Sequence, residues 1–393
     1  MSERQLPSLR TLLEELIATP SVSSVNPDFD QGNLAVIELL AGWLEDAGFA
    51  VEILPLPAPP GRPDAPPKAN LIATLGRGPG GLVLAGHTDT VPCDPGRWRS
   101  DPFRLEEREG RLHGLGTADM KSFLALAMEA ARPLRGADLR HPLIILATAD
   151  EESSMDGARA LVKLGRPAAR YAIIGEPTSL RPVHAHKGMM MEAIRIRGRA
   201  GHSSDPRLGA NALEAMHLAL GELLAWRAHL QARYHQAAFT PPVPTLNPGH
   251  IHGGDNPNRI CGQCELHFDL RPLPGMQAAD LREELRHRLA RALADSGCEV
   301  ELAPLMDSTP PLFTAPDSPL VAAAASLSGH DAEAAAYCTE APFLSQLGMD
   351  TVVLGPGDIA QAHRPDEYLD TARIAPTLSF LTQVIERFCI RGV

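Results

Sequence analysis

The hydrophobic pattern of the chain changes style twice. Residues 6–19 and 33–48 repeat apolar positions at helical spacing, which predicts two amphipathic helices. Short apolar runs at 50–54, 70–74, 82–85, 143–147 and 171–174 predict strands, with helical patterns between the later ones at 120–134 and 156–165. Strands alternating with helices make an α/β unit with a buried sheet. The stretch 55–68 carries seven prolines and must be an exposed loop. Gly76–Gly81 (GRGPGG) precedes a strand, not a helix, so it lacks the setting of a phosphate-binding loop. It predicts a hairpin turn between the strands at 70–74 and 82–85.

From residue 184 the style is different. Residues 189–198 alternate as a strand, 210–230 and 278–294 read as helices, and 249–252, 260–271 and 299–303 read as strands. This β-α-β-β-α-β order predicts a small ferredoxin-like α+β unit whose ends lie close together, as an insertion requires. A helix at 319–328, strands at 334–337 and 350–354, and a helix at 373–389 return to the first style. The expected organisation is a discontinuous domain, 1–183 with 307–393, interrupted by 184–306.

Chemistry collects where the apolar strands end. Ile145–Ser153 (ILATADEES) closes on Asp150, Glu151 and Glu152, and three crowded carboxylates need positive charge among them. His87 and Asp89 follow the strand at 82–85, and Glu176 follows the strand at 171–174. Asp119 opens the helical run at 120, and His363 lies between the last strand and the final helix. Taken singly, each of these is ordinary. Recurring at the ends of elements, they predict a metal site assembled from several loops. Imidazole and carboxylate donors suit zinc, cobalt or manganese.

Charge and cysteine content narrow the partners. With 36 basic and 48 acidic residues the formal charge is −12, which argues against nucleic acid and anionic membrane. No window is apolar enough for a membrane span, and the N-terminal pattern lacks the core of a signal peptide. Six cysteines are too sparse for a disulfide framework, so a cytoplasmic protein is expected. Cys261-x-x-Cys264 has no second pair and reads as buried strand residues. His202 beside Ser203 and Ser204 lacks the elbow of a serine hydrolase.

The motifs GHTDTVP (86–92), GTADMK (116–121), TADEES (148–153), IIGEPTS (173–179), GHSSDP (201–206) and AHRPDE (362–367) together resemble the M20 metallopeptidase family. Similar stretches run over nearly the whole chain; Ser122 departs from the glycine common in relatives. The resemblance implies a mixed-sheet, zinc-peptidase-like catalytic domain with the insertion as a dimerisation domain. It implies two divalent ions: one on His87 and Glu176, one on Glu152 and His363, with Asp119 bridging. Asp89 would accept from the far nitrogen of His87, and Glu151 would be the general base. A cis peptide is expected after Asp119. His202 would stabilise the oxyanion from the partner subunit of a homodimer. Arg259, with Asn258 beside it, would bind the substrate α-carboxylate. The expected reaction is hydrolysis of the N-acyl amide of an amino acid, N2-acetyl-L-ornithine foremost. N-succinyl-diaminopimelate, acetylcitrulline and dipeptides are the alternatives, and a non-catalytic metal-binding dimeric module is the rival of another class.

Overall fold

Ser8 starts the first helix, α1 (Leu9–Ala18), by accepting the Thr11 N–H on its hydroxyl at 3.2 Å. The computed structural model describes residues 6–392 apart from 60 and 135–138. Helix α2 (Leu34–Asp46) follows; Leu12, Leu16, Ile37 and Leu40 bury the apolar stripes of both helices. Strands β1 (Ala50–Pro55) and β2 (Ala69–Leu75) pair antiparallel on either side of the proline-rich loop. Next come β3 (Leu82–His87), the short β4 (Glu106–Arg108) and β5 (Arg111–His113), then α3 (Lys121–Ala131). The run continues with β6 (Leu143–Thr148), α4 (Asp156–Leu164), β7 (Tyr171–Ile174) and β8 (Val183–His186).

Then come the elements of the insertion. They are β9 (Met190–Arg197), α5 (Ala212–Arg233), β10 (Thr245–Gly253), β11 (Gln263–Arg271), α6 (Ala278–Ala292) and β12 (Glu299–Pro304). The remainder is β13 (Leu312–Phe313), α7 (Pro319–Ser328), β14 (Glu333–Ala335), α8 (Ala341–Gln346), β15 (Asp350–Val353), β16 (Tyr368–Asp370) and α9 (Ile374–Ile385).

The chain divides into two units. The first comprises Met1–His184, Thr314–Glu333 and Thr339–Val393, and the second Ala185–Phe313 with Ala334–Cys338. The second unit thus continues past residue 306, because Leu312 pairs with His186. In the first unit the strands run in the order β1-β2-β6-β3-β7-β15, with Val353 opposite Val183 beyond. Pairing is parallel from β6 through β15 and antiparallel at β1/β2 and β2/β6. Every residue of β3 and β6 is buried, as central strands covered on both faces require. The hairpin expected at Gly76–Gly81 does not form. β6, too apolar to sit at an edge, lies between β2 and β3 and pairs with both. β16, β5 and β4 make a separate three-stranded sheet. The final helix ends earlier than its apolar pattern, in a π-helical turn over Glu386–Arg391.

In the second unit the order β10-β11-β9-β12 is antiparallel throughout, the ferredoxin-like arrangement. Ile194, Ile196, Leu266 and Phe268 form a core with Leu223 and Trp226 of α5 and Leu285 and Leu289 of α6. The other face carries polar ladders: Glu265 meets Arg195 at 3.1 Å and His267 at 2.8 Å. All six cysteines are free; Cys261 and Cys264 are buried, and the Cys261 thiol donates to the Gln263 carbonyl.

Candidate metal centre

The strand ends of the first unit deliver the donors. β3 finishes on His87, fully buried. Its Nδ1 lies 2.9 Å from the Asp89 main-chain oxygen, while the nearer Asp89 carboxylate oxygen is 3.8 Å away. The Asp89 group that meets His87 is thus its main-chain carbonyl and not its carboxylate. The carboxylate is occupied elsewhere, accepting the N–H groups of Glu152 (3.0 Å) and Glu151 (3.3 Å). Asp89 thus holds the acidic turn after β6. Within that turn Asp150 has a left-handed backbone, φ +62°, and its side chain pairs with Lys68 and accepts the Ser23 hydroxyl at 2.7 Å. Lys68 supplies the positive charge that the acidic run demanded, but for Asp150 only.

Glu151 and Glu152 are left to the cluster. Asp119 sits in the loop before α3, next to a cis Asp119–Met120 peptide. Its two oxygens face different histidines: Oδ1 is 3.0 Å from His87 Nε2, and Oδ2 is 3.5 Å from His363 Nε2. His363, also left-handed at φ +58°, lies 3.0 Å from Glu152 Oε2. Glu176, just beyond β7, brings Oε2 to 4.0 Å from His87 Nε2, and its Oε1 is buried without a hydrogen-bond partner among the described residues. The glycine before it is required by packing, since a Cβ on Gly175 would lie 1.9 Å from the Phe123 ring.

Electrostatics show a site short of cations. Burial, then neighbouring carboxylates, push Glu151 and Glu176 well above the usual carboxyl range, and burial followed by the Asp119 charge raises Glu152. Burial acts upward on Asp119 too, but hydrogen bonds from His363 and His87 outweigh it and hold the carboxyl low. Bonds to Asp119 and Glu152 raise His363 to about 10. No lysine or arginine pairs with Asp119, Glu152 or Glu176 among the described residues. Ligand atoms of His87, Asp119 and Glu152 lie within 4.8 Å of one another, as do those of His87, Glu151 and Glu176. Converging donors, an orphaned buried oxygen and uncompensated charge all fit divalent cations.

The Peptidase family M20/M25/M40 profile matches residues 83–387. The chain belongs to this family. It is a metal-dependent amide hydrolase. An acetylornithine deacetylase from Edwardsiella ictaluri is 52% identical, over 98% of this chain and 99% of that one. Among solved structures, an aminopeptidase from Bacillus cereus superposes with a TM-score of 0.72 at 20% identity, covering 97% of this chain and 99% of that one. A Bacillus subtilis protein described as a dinuclear metal-binding peptidase of family M20 gives 0.66 at 16% identity, over 98% of each chain.

The remaining M20 candidates lie in the second unit, where His202 and Arg259 are bridge partners. His202 Nδ1 is 2.7 Å from the Ser204 hydroxyl, and Arg259 Nη1 is 2.6 Å from Asp255. The Ser203 N–H donates to the Asn258 carbonyl at 3.1 Å, joining the two loops. Two acids of the first unit were not singled out from sequence. Glu340 is 1% exposed, and burial, partly offset by the Thr148 hydroxyl, raises its carboxyl to about 7. Glu367, 2% exposed, accepts three main-chain N–H groups. Glu367 lies inside AHRPDE, one of the motifs that carry the family resemblance, and that is the signal the sequence offers for it.

Proposed function

We propose that this chain hydrolyses N2-acetyl-L-ornithine to L-ornithine and acetate, a step of arginine biosynthesis, as a cytoplasmic homodimer using two zinc ions. The observation that carries the reading is Asp119, whose two oxygens each face a different histidine. That is the disposition of a carboxylate shared by two cations. His87 and Glu176 would hold one ion, and Glu152 and His363 the other. When bound, the ions supply Lewis acidity at the amide carbonyl. The deacetylase relative, 52% identical end to end, supports the substrate.

The chain's own groups handle the proton. Glu151 stands beside His87 and Glu176, where a carboxylate can take a proton from water and give it back. It takes a proton from the attacking water as the C–O bond forms, and passes it to the amine as the C–N bond breaks. In this reading His202 comes from the partner subunit to stabilise the oxyanion; with Nδ1 on Ser204, the donor would be Nε2. Arg259, half-exposed and held by Asp255, would take the substrate α-carboxylate with Asn258 beside it. Lys187 and Arg271 suit that role less well, because Lys187 donates to the Val243 carbonyl and Arg271 pairs with Asp269.

The test is amine release from metal-loaded protein, with N-acetylornithine and N-succinyl-diaminopimelate in parallel, each with and without chelator. Chelator-sensitive turnover of the acetyl compound alone is expected. Turnover of the succinyl compound would overturn the substrate, and chelator-resistant turnover would overturn the metal reading.

A further inference from the structure

Glu367 gathers three main-chain N–H groups on one carboxylate oxygen. Its Oε1 accepts the N–H groups of Gly116 at 3.1 Å, Ala118 at 2.7 Å and Asp119 at 3.0 Å. The last of these belongs to the residue whose carboxylate faces both histidines. Its own carbonyl accepts the Gly114 N–H at 3.1 Å. Four residues earlier on the same loop is His363, and immediately after it β16 pairs with β5, Tyr368 opposite His113. One side chain therefore gathers the loop bearing Asp119 and ties it to the loop bearing His363. Neither loop has helix or strand hydrogen bonds of its own at these positions.

We infer that Glu367 is a positioning residue. Its carboxylate sets the spacing between Asp119 and His363, and so the affinity for the second ion of the pair. The inference rests on the two-ion reading above. A buried oxygen accepting three donors is costly to remove, because three N–H groups lose their partner at once. Groups that orient metal ligands typically alter metal affinity 10–100-fold when lost.

The test compares wild type, Glu367→Gln and Glu367→Ala, using zinc stoichiometry and affinity by competition with a chelator, and melting of the metal-free forms. Glutamine keeps an acceptor oxygen of the same reach and should bind two ions within a few-fold of wild type. Alanine should weaken one ion by about 100-fold and leave the other within about tenfold. It should also lower kcat more than it raises KM. Glu367→Ala binding both ions as tightly as wild type would overturn the proposal, even if its melting temperature fell. Equal loss in Glu367→Gln and Glu367→Ala would overturn it as well. Wild type that itself binds no pair of ions would refute the two-ion reading, and this proposal with it.

Discussion

The two candidate clusters of this molecule are built in opposite ways. In the first unit, donors from positions 87, 119, 152, 176 and 363 meet at 3–4 Å, and all except His363 lie on side chains that are largely buried. In the second unit, His202 and Arg259 are exposed and held mainly by residues two to four positions away, Ser204 and Asp255. A metal centre needs several donors fixed against one another, so it draws on the ends of buried strands. A group that meets a substrate needs reach and access, so it belongs on loops tied locally. The lesson concerns failure: damage to the first cluster should appear as lost metal, and damage to the second as lost turnover with metal in place.

Two neighbouring acids give the largest contrast. Glu152→Ala should remove an ion, seen by elemental analysis, and abolish turnover. Glu151→Ala should keep both ions and still lose about 10³-fold in kcat. Metal loss in Glu151→Ala would make Glu151 a ligand, a role its closeness to His87 and Glu176 also allows geometrically. Next in size is His202→Ala. About 10²-fold should be lost from kcat with metal content unchanged, and metal loss would erase the distinction between the two clusters.

The smallest effect is on stability and isolates Glu340. Burial raises its carboxyl to about 7, so the folded chain keeps a proton that the unfolded chain releases near 4.5. A raised folded value means the native state binds more protons, and stability falls as pH rises through that window. Metal-free wild type should therefore lose about 3 kcal/mol relative to Glu340→Gln between about pH 4.5 and 7, and no more above it. Parallel denaturant titrations of the two proteins at several pH values would check this; a constant difference would show that Glu340 is not held protonated.

What the sequence disclosed follows the same division. That His87, Glu152 and Glu176 come near one another could be expected because each follows an apolar run, a local pattern with a local meaning. The ferredoxin-like unit was legible because its period switched from helical to alternating and back. The hairpin at Gly76–Gly81 was misread because a strand's partner is decided by a segment more than sixty residues later, and nothing in the local pattern names it. β4, β5 and β16 were missed for a related reason: three-residue strands carry no period of their own. Glu367 was overlooked because its partners are main-chain groups, which have no letter in the sequence. That Asp89 meets His87 through its main-chain oxygen was illegible for the same reason.

The place of β6 also bears on the order in which the chain is made. β2 and β3 leave the ribosome one after the other, separated by a link in which Gly76, Gly78, Gly80 and Gly81 all have positive φ. Consecutive strands ordinarily pair with each other. In the folded sheet they do not pair: Leu143–Thr148 lies between them, and the glycine link carries the chain past that strand without closing a hairpin. His363 and Glu367 arrive later still, after the whole second unit. A chain made from its N-terminus therefore lacks a complete centre until His363 has followed the whole second unit.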